Sequence, residues 1–258
     1  MNTKIGLALS GGGFRGVAHL GVLQYLSELN IMPDEIAGAS AGAMAGAFIA
    51  AGYAPEEIFQ FSKKEKFFNY SDVSATKAGL FSADVFEKII KKYIPHNSFE
   101  KLKTPLYVSV TDLTNAQALI FSEGDLSLAI KASCCFPLVF QPVLYNDNTY
   151  LCDGGLLNNF PAEQVRTTCN KVIGININPI SKMESEPTYK EILSRIIRIA
   201  TSSTIKSPET LCDVYLHPNE LIKYGTFDYR KSDELFQLGY TYAKQFEEQF
   251  LKLKEDNK

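Results

Sequence analysis

The chain has 258 residues, of which 45% are hydrophobic and 21% are charged, and its formal net charge at pH 7 is -3. These values are typical of a globular protein, and they exclude fibrous and disordered classes. The charge gives no electrostatic basis for binding nucleic acid. Five cysteines without framework spacing predict a reducing, cytoplasmic location, and no apolar run is long enough to span a bilayer.

The first elements in chain order alternate between strand and helix. Residues 4–9 form an apolar run that predicts a buried strand so close to the N-terminus that it leaves no room for a signal peptide. Apolar residues recur at three- and four-residue steps over 17–29, which predicts an amphipathic helix. A second strand over 34–38 precedes Ser40 and a helix of small residues. Pro55, followed by two glutamates, predicts another helix start.

The rest of the chain predicts a single α/β domain over residues 1–258, with a mostly parallel or mixed sheet covered on both faces. Residues 63–82 fit neither period, so we expect a loop or cap there, and we expect a mainly helical C-terminal part over 181–258. The remaining predictions are helices over 83–93, 126–132 (capped by Asp125), 188–203 and 232–254, strands over 105–112, 116–121 and 172–177 and near 150–151, and an irregular loop over 136–143.

Three consecutive glycines, Gly11, Gly12 and Gly13, lie between the first strand and the first helix. Without side chains they can direct backbone amides toward one point, as an oxyanion hole requires. The string also matches GxGxxG, which would indicate an NAD(P)-binding Rossmann unit. Such a unit needs an acid where the second strand ends, and this chain has Gly38, Ala39 and Ser40 there, so the nucleotide interpretation is disfavoured.

Ser40 stands in a GxSxG pattern between a strand and a helix, which is the setting of a nucleophile elbow. The alternative is a helix start with Ser40 as its N-cap. The chain order Ser40, Asp153, His217 would satisfy an α/β-hydrolase triad, although that elbow normally follows more strands. His19 is expected to be a packing residue and His96 to be solvated.

Without a histidine, an aspartate must accept the serine proton directly. Asp112, Asp147 and Asp153 all border predicted strands, so spacing alone does not choose among them. Asp153 is favoured because Gly154 and Gly155 allow its backbone to approach another loop, and the alternative is an ordinary turn. A carboxylate with its usual pKa of about 3.9 is a poor base for an alcohol, so burial would have to raise that pKa.

Four segments stand out together: SGGGFRGVAHLGVL from Ser10, GASAG from Gly38, ASCCFPLVFQP from Ala132 and DGGLLNNFP from Asp153. In this order they resemble four blocks of the patatin-like phospholipases. The resemblance implies a three-layer α/β/α sandwich, lipid acyl hydrolysis and a Ser-Asp dyad, with Ser40 as nucleophile and Asp153 as base. It also implies Gly11, Gly12 and Gly13 as oxyanion donors, and it places Arg15 at the family's basic position.

We therefore expect a serine acyl hydrolase acting on phospholipid or lysophospholipid esters, without a cofactor or metal. The alternatives are a non-catalytic lipid-binding module on the same fold and an NAD(P)-binding protein. Arg15 either contacts a phosphate or head group or supports the glycine loop. Peripheral membrane contact is a further expectation, because basic and aromatic side chains together suit a membrane–water interface. The cluster consists of Lys63, Lys64, Lys66, Phe67, Phe68 and Tyr70. The alternative is that these residues form a solvated helix end with a few core aromatics.

Overall fold

A computed structural model describes residues 3–65, 73–76, 79–180, 182, 186–205, 208–226 and 229–255. The strands are β1 (Ile5–Leu9), β2 (Glu35–Ala39), β3 (Val73–Thr76), β4 (Gly79–Phe81), β5 (Leu106–Asp112), β6 (Gln117–Phe121), β7 (Val143–Tyr145), β8 (Thr149–Asp153), β9 (Lys171–Ile175) and β10 (Val214–Leu216). The α-helices are α1 (Val17–Glu28), α2 (Ala41–Ala51), α3 (Pro55–Lys64), α4 (Asp84–Tyr93), α5 (Leu126–Ser133), α6 (Ala162–Arg166), α7 (Tyr189–Ser203), α8 (Pro208–Leu211), α9 (Ser232–Lys244) and α10 (Glu247–Glu255).

One mixed sheet forms the centre of the molecule. Its strands follow the order β10-β9-β1-β2-β5-β8-β7, and β6 pairs with β5 outside this path. The strands from β10 to β5 are parallel, whereas β6 and β8 run antiparallel to β5. The prediction of a mixed sheet in an α/β chain is confirmed.

Both faces of the sheet are covered, as side chains of β1 illustrate. Leu7 and Leu9 belong to a large buried cluster that includes residues of α1 and α2. Ala8, between them, belongs to a second cluster with Ala162 and Val165 of α6. Because successive side chains of a strand point to opposite faces, the sheet lies between two helical layers. This confirms the predicted α/β/α sandwich.

The segment over 63–82 differs from the expected loop. Helix α3 continues to Lys64, and β3 and β4 form an antiparallel pair. Strands of three or four residues are too short to produce a clear period, which explains the miss. Lys63 contacts Asp233 (Nζ–Oδ1, 2.5 Å) and lies over the Phe59 ring, so it packs against the protein. Of the basic and aromatic cluster, Lys66, Phe67, Phe68 and Tyr70 lie outside the described residues.

The C-terminal part is mainly helical over its described residues, but it also contributes β10 to the sheet edge beside β9. The helix expected over 232–254 is divided at Gln245 and Phe246 into α9 and α10. The short elements β7 and α6 were missing from the sequence prediction. In the parts of the chain that the structure describes, no helix is both long and apolar enough to cross a membrane.

Strand register brings three segments to one level of the sheet. Ala39 of β2 pairs with Ser109 of β5, and the next residue of β5, Val110, pairs with Asp153 of β8. Ser40 and Asp153 are thus at the same height on strands that flank β5. Two strand spacings amount to about 10 Å, a gap that a serine and an aspartate side chain can span together.

Candidate active site

Ser40 occupies a strained turn between β2 and α2. Its backbone has φ 50° and ψ -119°, a conformation that non-glycine residues rarely adopt. Glycine is required two residues later, at Gly42, because a Cβ there would clash with the Leu9 carbonyl oxygen of β1. The strand, the sharp turn and the helix together form the geometry of a nucleophile elbow.

Ser133, at the end of α5, holds this turn in place. Its hydroxyl accepts a hydrogen bond from the Ser40 amide (2.8 Å) and donates one to the Ser109 carbonyl of β5 (2.7 Å). The Cys134 thiol donates to the Ser40 carbonyl (3.4 Å). Both backbone polar groups of Ser40 therefore have contacts with the same end of α5.

Asp153 is buried and reaches the site from the end of β8. Its Oδ1 accepts a hydrogen bond from the Gly155 amide (2.8 Å), whereas Oδ2 accepts none of normal geometry within the described residues. Burial raises the pKa of Asp153 to about 6, and hydrogen bonding from Ser40 and Gly155 opposes part of this rise. The Ser40 hydroxyl thus lies close enough to the Asp153 carboxyl to influence its pKa.

The glycine loop is fixed by residues from distant parts of the chain. The Gly11 amide donates to the Asn159 carbonyl (3.2 Å). Asn178 donates through Nδ2 to the Gly11 carbonyl and to Ser10 Oγ, which also accepts from the Ile177 amide (3.0 Å). No hydrogen bond is seen from the Gly12 or Gly13 amide in the described part of the chain. Of the three predicted donors, Gly11 therefore already has an acceptor.

Arg15 lies beneath the glycine loop and is 2% exposed. Its Nη2 donates to Asn178 Oδ1 (3.0 Å) and its Nε to the Gly12 carbonyl (3.4 Å), while Nη1 has no described partner. Burial, and then the nearby Arg198, lower the pKa of Arg15 to about 9, so it remains a cation at neutral pH. These contacts are those expected of the loop-supporting role.

The alternative bases lie elsewhere. Asp112 accepts hydrogen bonds from Thr114 and Asn115, and the Asn115 side chain and amide hold the pKa of the Asp112 carboxyl below its usual range. Asp147 is exposed at the β7–β8 turn. Both carboxylates therefore serve turns rather than the serine.

None of the three histidines, all of which the structure describes, hydrogen-bonds to Ser40 or Asp153. His217 contacts the Asn176 carbonyl through Nδ1 (3.0 Å) and stacks on Tyr215, and His96 is exposed. His19 is buried, and its Nε2 lies 2.8 Å from the Ser10 carbonyl. Burial lowers the pKa of His19 to about 4, which keeps the ring neutral and makes Nε2 a donor to the glycine loop.

Ser40 and Asp153 open into a cavity of about 560 Å³. The size is within the range of small-molecule sites. Most of its walls are apolar side chains, which suit a hydrocarbon chain: Val17, Leu20, Met44, Phe48, Ile58, Phe61, Phe86, Ile89, Phe136, Leu138, Val139, Phe140 and Ile197. No group of three or more histidine, cysteine, aspartate or glutamate side chains suited to a metal is found in the described ranges.

Three supporting residues were not predicted from the sequence: Ser133, Asn159 and Asn178. Ser133 and Asn159 fall inside the segments that carried the family resemblance, but nothing local indicates what they contact. Asn178 follows β9, at the same sheet edge as the glycine loop. An asparagine where a parallel strand ends is a signal that could have pointed to it.

The sequence model described as patatin-like phospholipase matches residues 7–166, the range that contains the loop, Ser40 and Asp153. The chain belongs to the patatin-like phospholipase family. This patatin-like chain is 27% identical over 275 residues to lysophospholipase NTE1 of Meyerozyma guilliermondii, and 25% identical over 277 residues to lysophospholipase nte1 of Neurospora crassa. Each alignment covers 94% of this chain but only 19% and 18% of the relative, so the chain spans about a fifth of their length.

Solved structures show the same patatin-like fold. VipD from Legionella pneumophila matches with a TM-score of 0.60 and 14% identity, over 100% of this chain and 67% of that one. Human GIVD cytosolic phospholipase A2, solved with a methyl gamma-linolenyl fluorophosphonate inhibitor, matches with a TM-score of 0.56 and 10% identity, over 99% and 59%. Identities this low support the architecture of the patatin-like chain and no finer point.

Proposed function

We propose that this chain is a serine acyl hydrolase that cleaves fatty acyl esters of phospholipids or lysophospholipids. The observation that carries the proposal is the strained Ser40 beside a buried carboxyl, Asp153, at the base of an apolar cavity. Family membership and the lysophospholipase relatives support the lipid substrate.

In the proposed reaction, Ser40 Oγ attacks the ester carbonyl carbon while its proton passes to Asp153 Oδ2. A pKa near 6 makes Asp153 a stronger base than an ordinary aspartate, yet leaves it ionised at neutral pH. The carbonyl oxygen becomes an oxyanion, which accepts hydrogen bonds from the Gly12 and Gly13 amides. Gly11 contributes by fixing the loop rather than as a donor, because its amide already binds Asn159.

Collapse of the tetrahedral intermediate expels the alcohol, which takes the proton from Asp153 and leaves the acyl group on Ser40. Water then enters, gives a proton to Asp153 and attacks the acyl carbonyl carbon. Collapse of this second intermediate breaks the bond to Ser40 Oγ, which takes the proton back from Asp153 as the fatty acid leaves. Arg15 acts in this scheme as a fixed positive charge beneath the loop that favours the developing negative charge. No histidine takes part in either the acylation or the deacylation of Ser40 in this scheme.

The direct test uses a fluorophosphonate probe together with turnover of lysophosphatidylcholine and of p-nitrophenyl butyrate. We expect labelling and both activities in the natural chain and neither in Ser40→Ala. Ser62→Ala is a matched control, because Ser62 lines the same cavity and, within the described residues, its hydroxyl bonds only to its own helix, at the Phe59 carbonyl.

Unchanged labelling of a folded Ser40→Ala variant would reject Ser40 as the nucleophile. Binding of a fatty acid without turnover of any ester would favour the non-catalytic lipid-binding module instead.

A further inference from the structure

The outward face of α7 carries a continuous apolar stripe. Tyr189, Ile192, Ile196 and Ile199 are spaced by three and four residues and are 80%, 42%, 58% and 47% exposed. At 100° per residue these four positions lie within an arc of about 80°, so they form one ridge along the helix. Single exposed apolar residues are ordinary, but an aligned row of four marks an interaction surface.

The opposite face of α7 already has a role, since it forms part of the cavity wall. Ile197, Arg198 and Thr201 line the cavity that contains Ser40. These residues are centred roughly 165° away from the stripe around the helix axis. Helix α7 thus stands as a single layer between the cavity and the surface, and a helix is only about 10 Å across.

The charge beside the stripe favours one kind of partner. Arg195 borders the stripe, about 40° from Ile199 around the helix axis. Burial, and then the positive charge of Arg195, lower the pKa of Arg198, which faces the cavity. Isoleucines with a flanking arginine and a terminal tyrosine match an amphipathic helix that lies in the head-group region of an anionic membrane. A second copy carries the same arginine at the same edge of its stripe, so it offers no complementary charge.

We infer that the stripe of Tyr189, Ile192, Ile196 and Ile199 is a docking surface for an anionic lipid bilayer, which places the cavity one helix away from the membrane. The choice of a lipid partner rests on the proposed function, because the cavity would receive its ester from that surface. Leu138 lines the cavity and is 57% exposed, so the cavity has an apolar edge at the molecular surface.

The test measures flotation of the full chain carrying Ser40→Ala with phosphatidylcholine vesicles and with mixed phosphatidylcholine and phosphatidylglycerol vesicles. Because this variant lacks the proposed nucleophile, its binding is independent of whether the proposed chemistry is correct. We expect binding that is stronger to the mixed vesicles. Adding Ile196→Gln and Ile199→Gln should weaken it about tenfold, because glutamine keeps helix propensity but removes apolar area.

Leu251→Gln is the matched control, since Leu251 is 40% exposed on another helix, α10, and binding should be unchanged. Arg195→Gln should reduce the preference for phosphatidylglycerol while neutral vesicles bind as before. In the chain with Ser40 intact, the double isoleucine variant should lose more turnover on vesicles than on dissolved p-nitrophenyl butyrate.

Equal vesicle binding by the Ser40→Ala chain with the natural stripe and by the same chain with both isoleucine substitutions would overturn the inference. The absence of binding to both kinds of vesicle would also overturn it. Sedimentation that shows a dimer dissociated by the double variant would also overturn it, because the occupant would then be a second copy. A circular dichroism melt of each variant identifies any loss of folding.

Discussion

The cavity has two walls of different construction. The wall formed by the Ser40 turn, the glycine loop and Asp153 consists of buried polar groups joined by hydrogen bonds from β5, β8, β9 and α5. The wall formed by α7 is a single amphipathic helix. Two hydrogen bonds connect it to neighbouring segments: the Arg198 guanidinium donates to the Pro179 carbonyl, and Thr204, just beyond the end of α7, accepts from the Asn159 amide. We interpret the first wall as the site of chemistry and the second as the site of lipid contact. Substitutions in the first should lower kcat, and those in the second should raise KM.

The largest effect is expected from Asp153→Asn, because an amide cannot accept the serine proton. We expect kcat on p-nitrophenyl butyrate to fall by at least about 10³-fold. Asp112→Asn is the control, and its activity should change less than about threefold, as its carboxylate serves the β5–β6 turn. The reverse order would assign the base to Asp112.

The same Asp153→Asn variant should be more stable than the natural chain at pH 8. A raised carboxyl pKa means that the folded state holds its proton more tightly, so the free energy of unfolding declines as pH rises from about 4 to about 6. Asparagine removes that decline, so at pH 8 the free energy of unfolding of the variant should exceed that of the natural chain by about 3 kcal/mol at most. Thermal melts at pH 8 and pH 4 should show the gain only at pH 8; a lower melting temperature at pH 8 would contradict the burial of a charged Asp153.

Ser133→Ala should lower kcat about 30-fold with little change in KM. Without the hydroxyl, the buried Ser40 amide and Ser109 carbonyl both lose a partner, and the strained turn loses its contact with α5. Ser133→Thr keeps a hydroxyl and should restore most of the activity. A rise in KM at constant kcat would place Ser133 in substrate binding instead.

The pH profile should follow the ionisation of Asp153. Protonation removes the base, so kcat/KM on dissolved ester should fall about tenfold for each pH unit below about 6 and level off above pH 7. A His217→Ala variant should show the same profile, since His217 contacts the Asn176 carbonyl rather than Ser40 or Asp153. A pH dependence that disappears in His217→Ala would instead indicate a triad of Ser40, Asp153 and His217.

The smallest effect is expected on the α7 wall. Ile197→Ala removes apolar contact from the cavity, so KM for a long-chain ester should rise about fivefold while kcat is retained. KM for p-nitrophenyl butyrate should be nearly unchanged, because a short acyl group fills less of the cavity. A fall in kcat as large as that of Ser133→Ala would remove the distinction between the two walls.

Much of the chemical wall could be predicted, because Ser40, Asp153 and the glycines stand in short segments whose local pattern is informative. Asp153 was favoured over Asp112 by the two glycines that follow it and then by the resemblance, because both residues border strands and spacing alone does not choose between them. Ser133 and Asn178 were missed because their partners are distant in sequence. The main strands were predicted from apolar runs, whereas β7 and the β3–β4 pair are too short for a period to be visible.

The hydrogen bonds around the glycine loop have a consequence for biosynthesis. Ser10 binds Ile177 and Asn178, across separations of 167 and 168 residues, and the Ser40 amide binds Ser133 across 93. A nascent chain therefore presents its serine long before the contacts that fix the loop can form. The ribosome must release residues beyond 178 before these contacts can form, so a truncated translation product that ends earlier carries Ser40 but lacks the partners that fix the glycine loop.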